Sequence, residues 1–191
     1  MEKIAITGAT GNYGYTVIEA LIKKGIDNKS IYAIVRDEVK AKLLLPFGVN
    51  LILADYNDYN SMINAFSGID KLLFVSSGEM KKRSEQHKQV IKAAKKAGVK
   101  HILYTSQIHK TDSPSSPMKF VMKSHLVTEI AIMKSGMNYT ILRNGLYLDM
   151  LPLFLGKSVI ENGIFLPAGN GKIAFTLRNE MAETAANIIS S

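Results

Sequence analysis

The chain has 191 residues, 47% apolar and 21% charged, a balance that fits one globular domain with a substantial core. It contains no cysteine, which excludes disulfide frameworks and thiolate metal sites and leads us to expect a reducing, cytoplasmic setting. The net charge of +8 and isoelectric point near 9.5 raise the question of nucleic acid, but no helix-turn-helix, zinc finger or aromatic RNA-binding pattern accompanies them, and we expect no nucleic-acid partner. No signal peptide and no apolar run of about 18 residues can be read, so we expect no membrane span.

In chain order, a strand predicted over Lys3–Thr7 enters a glycine-rich turn and then a helix over Asn12–Lys24, whose Val17, Ile18, Leu21 and Ile22 recur at helical spacing until Gly25 stops it. The alternation then repeats. Strands are predicted over Ser30–Arg36, Asn50–Ala54, Lys71–Ser76, His101–Ser106 and Tyr139–Arg143, and helices over Glu38–Leu45, Tyr59–Phe66, Arg83–Ala97 and Met118–Lys134. In the fourth helix the lysines fall opposite Val90, Ile91, Ala94 and Ala97, as on a solvated basic face. The Ser- and Pro-rich stretch Gln107–Pro117 reads as a mobile loop, and from Gly145 onward no further clear strand-helix unit follows. Strands alternating with helices specify a doubly wound parallel α/β sheet, the Rossmann class, with the expected strand order 3-2-1-4-5-6.

The glycines of "TGATGNYG" explain themselves in that context. Gly8 ends the first strand, Gly11 stands where a ligand backbone would pass, and Gly14 lies in the first helical turn, where a side chain would hold helix and sheet apart. Unpaired amides at a helix N-terminus bind phosphate, so Gly8, Thr10, Gly11, Asn12 and Tyr13 are candidate pyrophosphate contacts. The spacing is GxxGxxG, which resembles the extended and atypical branches of the short-chain dehydrogenase/reductase superfamily. At the end of the second strand, "AIVRD" presents Arg36 before Asp37. A guanidinium pairs with a 2′-phosphate that a carboxylate would repel, so NADPH is preferred over NADH. Later strand ends complete the expected cleft: Asp55 beside the adenine, then Ser76 and Ser77, Tyr104 and Ser106, and Asn144 and Gly145.

The tyrosine-xxx-lysine pair that short-chain reductases use as proton donor is missing: no tyrosine has a lysine four residues later. Reduction of a simple carbonyl is therefore disfavoured. A quinone makes less demand, because hydride produces a resonance-stabilised phenolate, and water or a nearby His125 or Tyr147 can supply the proton. These two are the candidate catalytic residues. No metal site is expected from the spacing of the histidines.

Taken together, "AITGATGNYG", "IVRDEVKAK", "ADYND", "KLLFVSSGE", "QHKQVIKAAKKAGVKHILYTS" and "YTILRNGLY" resemble the NmrA-like group, and within it the bacterial NAD(P)H:quinone oxidoreductases. The resemblance covers essentially the whole chain. It implies NADPH on the glycine turn, Arg36 near the 2′-phosphate, and a quinone stacked on the nicotinamide. It also implies a substrate-covering part roughly a hundred residues longer than is present here. On that view residues 1–191 form one NAD(P)-binding domain, 146–175 are what remains of the substrate-covering region, and uncovered apolar surface favours a homodimer. The alternative is a non-catalytic NmrA-like dinucleotide sensor that contacts a protein partner.

Overall fold

The computed structural model describes residues 2–108, 119–156, 158–164 and 169–191. Six parallel strands form the main sheet: β1 (Ile4–Ile6), β2 (Ile31–Val35), β3 (Asn50–Leu53), β4 (Lys71–Phe74), β5 (His101–Gln107) and β6 (Asn138–Asn144). Their order is β3-β2-β1-β4-β5-β6, as expected. The order reverses between β1 and β4, and a cleft opens there beyond the carboxyl ends of the strands.

The helices cover both faces. On one, α1 (Asn12–Lys23) and the last helix, α8 (Arg178–Ile189), pack on Ile4, Ile6 and Leu73 through Val17, Ile18, Leu21, Ala182, Ala185, Ala186 and Ile189. On the other, α3 (Tyr59–Ala65), α4 (Arg83–Ala97) and α5 (Lys119–Met133) cover Ala5, Leu72, Phe74, Ile102 and Tyr104. A strand covered on both faces is apolar on both, which is why the central strands read as continuous apolar runs. On the outside of α4, Lys88, Lys92, Lys95 and Lys96 are exposed.

Three departures from the sequence reading matter. The second predicted helix divides into α2 (Glu38–Ala41) and a 3-10 turn over Lys42–Phe47, because Pro46 has no amide proton to continue an α-helical ladder and its ring crowds the preceding turn. Strand β4 stops at Phe74, two residues before the predicted Ser76, while β5 runs one residue past its predicted end to Gln107. Beyond Gly145 the chain forms β7 (Leu146–Tyr147), α6 (Leu151–Leu155), α7 (Val159–Asn162) and β8 (Phe175–Thr176), with β7 and β8 paired in parallel. Most of the predicted mobile loop, residues 109–117, lies outside the described residues. Among the described residues no helix is long and apolar enough to cross a membrane.

Candidate dinucleotide site

The glycine turn is built by close approach. Gly8 sits at φ +60°, in the left-handed region that side chains avoid, and its amide neighbourhood is tightened by the Gly11 N–H donating to Gly8 O at 2.9 Å. A Cβ on Gly14 would stand 2.5 Å from Gly8 O and 2.9 Å from Ala9 Cα, so no larger residue fits without moving the backbone. Gly11 is the N-cap of α1 and lines the cleft, and no side chain caps the helix, which leaves its first amides without a side-chain partner.

Those glycines open onto a cleft of about 580 Å³, walled by Gly8, Thr10 and Gly11 from the turn, Arg36 after β2, Asp55 and Tyr56 after β3, and the Val75–Glu79 segment after β4. The side chains of Thr10, Arg36 and Ser76 make no hydrogen bond or ion pair with any described residue. Asp37 does not compete for Arg36, because its carboxylate accepts from the Val39 and Lys40 amides as the N-cap of α2. Asp55 Oδ1 accepts from the Asn57 backbone and side-chain nitrogens at 2.7 and 2.8 Å, which shapes the turn under the cleft. Tyr56 donates to Val75 O at 2.9 Å, and burial pushes its phenol well above its usual pKa.

Of the predicted contacts, Gly8, Thr10, Gly11, Arg36, Asp55, Ser76 and Ser77 come together in this cleft. Asn12 borders a neighbouring hollow of about 480 Å³ that shares Thr10 and Gly11 and extends to Arg178 and Asn179. Tyr13 points away from both. It is buried and donates to Met181 O at 3.0 Å, tying α1 to α8.

Tyr104 and Ser106, expected at the end of β5, lie inside it, because β5 continues in register with β6 as far as Gln107 opposite Asn144. Neither lines the cleft. Tyr104 is fully buried, its Oη 2.7 Å from His125 Nδ1, and burial raises its pKa far above that of a free phenol. Ser106 donates to Glu129 Oε1, a carboxylate that also accepts from Arg143 at 2.7 Å. Asn144 and Gly145 stand at the end of β6; the Asn144 Nδ2 is buried with no hydrogen-bond partner among the described residues.

The two catalytic candidates are not at the cleft wall. His125 is buried between Tyr104 and Arg83, whose NH1 lies 3.5 Å from its Nε2. Tyr147 is half-buried on β7 beneath the Arg178 guanidinium, 4.8 Å from its ring centre, with Arg178 paired to Asp149 at 2.8 Å. Burial raises the Tyr147 pKa.

Residues absent from the sequence reading also shape the wall. Arg83, Gln86 and His87 reach from α4 to Ser77, and Gln86 lines the cleft itself. Their spacing of i, i+3 and i+4 continues the face that carries Val90, Ile91 and Ala94. An apolar helix face that turns polar in its first turn was the available signal.

The fold and much of the sequence recur in known proteins. Over 188 residues the chain is 44% identical to quinone oxidoreductase 2 of Escherichia coli (strain K12), covering 98% of this chain and 64% of that protein. Its fold superposes on the crystal structure of the NADPH-dependent quinone oxidoreductase QOR2 from Escherichia coli complexed with NADPH, with a TM-score of 0.85 and 44% identity, over 98% of this chain and 65% of the other. The Citrobacter sp. triphenylmethane reductase complexed with NADP(H) matches with a TM-score of 0.86 and 39% identity, over 99% and 66%. The chain thus spans a little under two thirds of the length of these relatives. With the glycine turn, the reversed strand order and a family match running over residues 1–189, the chain belongs to the NmrA-like family.

Proposed function

We propose that the chain is an NADPH-dependent oxidoreductase that passes hydride to a quinone-type acceptor. One observation carries the reading: Arg36, whose guanidinium has no partner among the described residues, and Gly11, the N-cap of a helix with no side-chain cap, wall the same cleft. A dinucleotide fits both. Its diphosphate suits the turn at Gly8, Thr10 and Gly11, which the close approach of Gly14 to Gly8 O keeps tight, and a 2′-phosphate suits Arg36. Two relatives, the Escherichia coli quinone oxidoreductase complexed with NADPH and the Citrobacter reductase complexed with NADP(H), support the same assignment.

In this reading the reduced nicotinamide supplies the hydride when bound. The chain's own residues do the rest by placement. Arg36 and Asp55 fix the adenosine end, Thr10 and the α1 amides hold the diphosphate, and Ser76 with the segment after it borders the nicotinamide end at β4. His125 and Tyr147 stand back from the cleft wall, so the proton that completes the hydroquinone comes from solvent; a phenolate requires no strong internal acid.

The test is turnover with menadione or benzoquinone, followed by loss of the reduced nicotinamide absorbance. Arg36→Ala is expected to weaken NADPH binding roughly thirtyfold, about 2 kcal/mol for a charge-assisted phosphate contact, with NADH affinity unchanged. Equal wild-type affinity for the two coenzymes removes the coenzyme preference. Tight NADPH binding with no quinone turnover favours the sensor reading instead.

A further inference from the structure

Ser77 stands at the cleft wall, yet every polar group it owns is taken by a side chain of α4. Its N–H donates to His87 Nε2 at 2.9 Å, and its carbonyl accepts from Arg83 Nε at 2.7 Å. Its hydroxyl donates to Gln86 Oε1 at 2.6 Å, and the Gln86 amide donates onward to Glu79 Oε2 at 2.7 Å and Asn57 Oδ1 at 3.2 Å. The first turns of α4 therefore grip the peptide that borders the cleft, from three side chains at i, i+3 and i+4.

His87 has no freedom in this grip. A backbone amide can only donate, so Nε2 must be the unprotonated nitrogen and Nδ1 must carry the proton. Nδ1 lies 2.9 Å from Thr128 Oγ1, and that hydroxyl donates its own proton to Ser124 O at 2.7 Å, which leaves its lone pairs to accept from the imidazole. The ring is wholly buried, edge-on to Phe74 at 4.8 Å and to Tyr104 at 5.6 Å. In this orientation both nitrogens are satisfied, Nε2 by the Ser77 amide and Nδ1 by Thr128, with the Tyr104 hydroxyl 3.4 Å from Nδ1.

We propose that His87, locked in its Nδ1-protonated form by Thr128, is a positioning residue that sets the Ser77 peptide for the nicotinamide half of a cofactor crossing the β1–β4 switch point. This rests on the reductase reading above. The adenosine half belongs to Arg36 on β2 and the diphosphate to the α1 turn, so the remaining half passes over the end of β4, where Ser76 and Ser77 leave the sheet. A reacting ring misplaced by about an ångström loses on the order of a hundredfold in rate. A wall peptide fixed from behind by a neutral, single-tautomer imidazole is suited to prevent that.

Two near-isosteric variants separate the roles of the two nitrogens. His87→Gln keeps an acceptor near the Nε2 position and gives up the Nδ1 donor; His87→Asn keeps a donor near Nδ1 and gives up the acceptor for Ser77. With NADPH and menadione, the Gln variant is expected within about threefold of wild type. The Asn variant is expected to lose tenfold or more in kcat at unchanged acceptor KM, with the two variants melting at similar temperatures. In wild type, the imidazole nitrogen spectrum should show one proton, on Nδ1. Equal kcat in the two variants, or a wild-type His87 protonated on Nε2, overturns the proposal. A wild type that binds NADPH without reducing quinone overturns the reductase reading alone; the contrast then appears as weaker NADPH affinity in Asn and not in Gln, and its absence there overturns the proposal as well.

Discussion

Two polar regions lie side by side above the middle of the sheet and make opposite use of similar side chains. In the cleft over β1, β2 and β4, the side chains of Thr10, Arg36 and Ser76 have no hydrogen-bond or ionic partner among the described residues. Behind it, between β5, α4 and α5, a serine, a tyrosine, an arginine and a carboxylate are bonded to their neighbours: Ser106 to Glu129, Tyr104 to His125, Arg83 to Ser77, Glu129 to Arg143. The difference is where each strand stops. β4 ends early and releases Ser76 into the cleft, whereas β5 runs on beside β6 and keeps Tyr104 and Ser106 inside the sheet. Residue type thus says little about function here. What sets the three cleft side chains apart is that the fold leaves their hydrogen-bonding capacity unspent, the property on which the proposed cofactor role draws.

The sharpest way to break the open region is at Gly14. Gly14→Ala places a methyl group 2.5 Å from Gly8 O, and neither backbone segment is a flexible side chain that can step aside. Destabilisation of about 3 kcal/mol is expected, with loss of measurable dinucleotide binding even where the variant remains folded. Denaturant melts and NADPH titration check both. A variant of wild-type stability that still binds NADPH removes the close-approach argument on which the site rests.

The closed region should show itself through pH. Burial, reinforced by Arg83 and His125, pushes His87 down to about 3 from an unfolded value of 6.5. The folded pKa is the lower one, so the unfolded chain takes up a proton that the folded chain refuses. The contribution of His87 is therefore complete above pH 6.5 and falls away as pH drops toward 3, by about 1.4 kcal/mol per unit, or roughly 2 kcal/mol at pH 5. Stability measured against pH should fall more steeply between 6.5 and 5 in wild type than in His87→Asn. Parallel curves would mean that the imidazole is not held neutral.

How much of this could be read beforehand follows the same division. The sheet order, the glycine turn and Arg36 were legible because each is local: a period of apolar runs, three glycines between a strand and a helix, a cation at a strand end. The contents of the closed region were not. Whether Ser77 or Tyr104 faces a ligand depends on two residues of strand length and on His87 and His125, which are distant in sequence and come together only when α4 and α5 pack on the sheet. The 3-10 turn after α2 could have been anticipated from Pro46. The pairing of β7 with β8 could not, since two-residue strands carry no periodicity.

The smallest effect is also the one that separates the two regions most cleanly. Tyr104→Phe removes a hydroxyl 2.7 Å from His125 Nδ1 and leaves the ring packed on Phe74 at 5.2 Å. One buried neutral hydrogen bond contributes about 1 kcal/mol, which for a chain of this size lowers the melting temperature by about 2–4 °C. Because Tyr104 stands inside β5 and outside the cleft wall, NADPH affinity should stay within about twofold of wild type. Two measurements on one variant, a melt and a titration, then decide the matter. A clear loss of NADPH affinity without a loss of stability would place the phenol at the cofactor, and the boundary drawn here between the open and closed regions would have to move one strand outward.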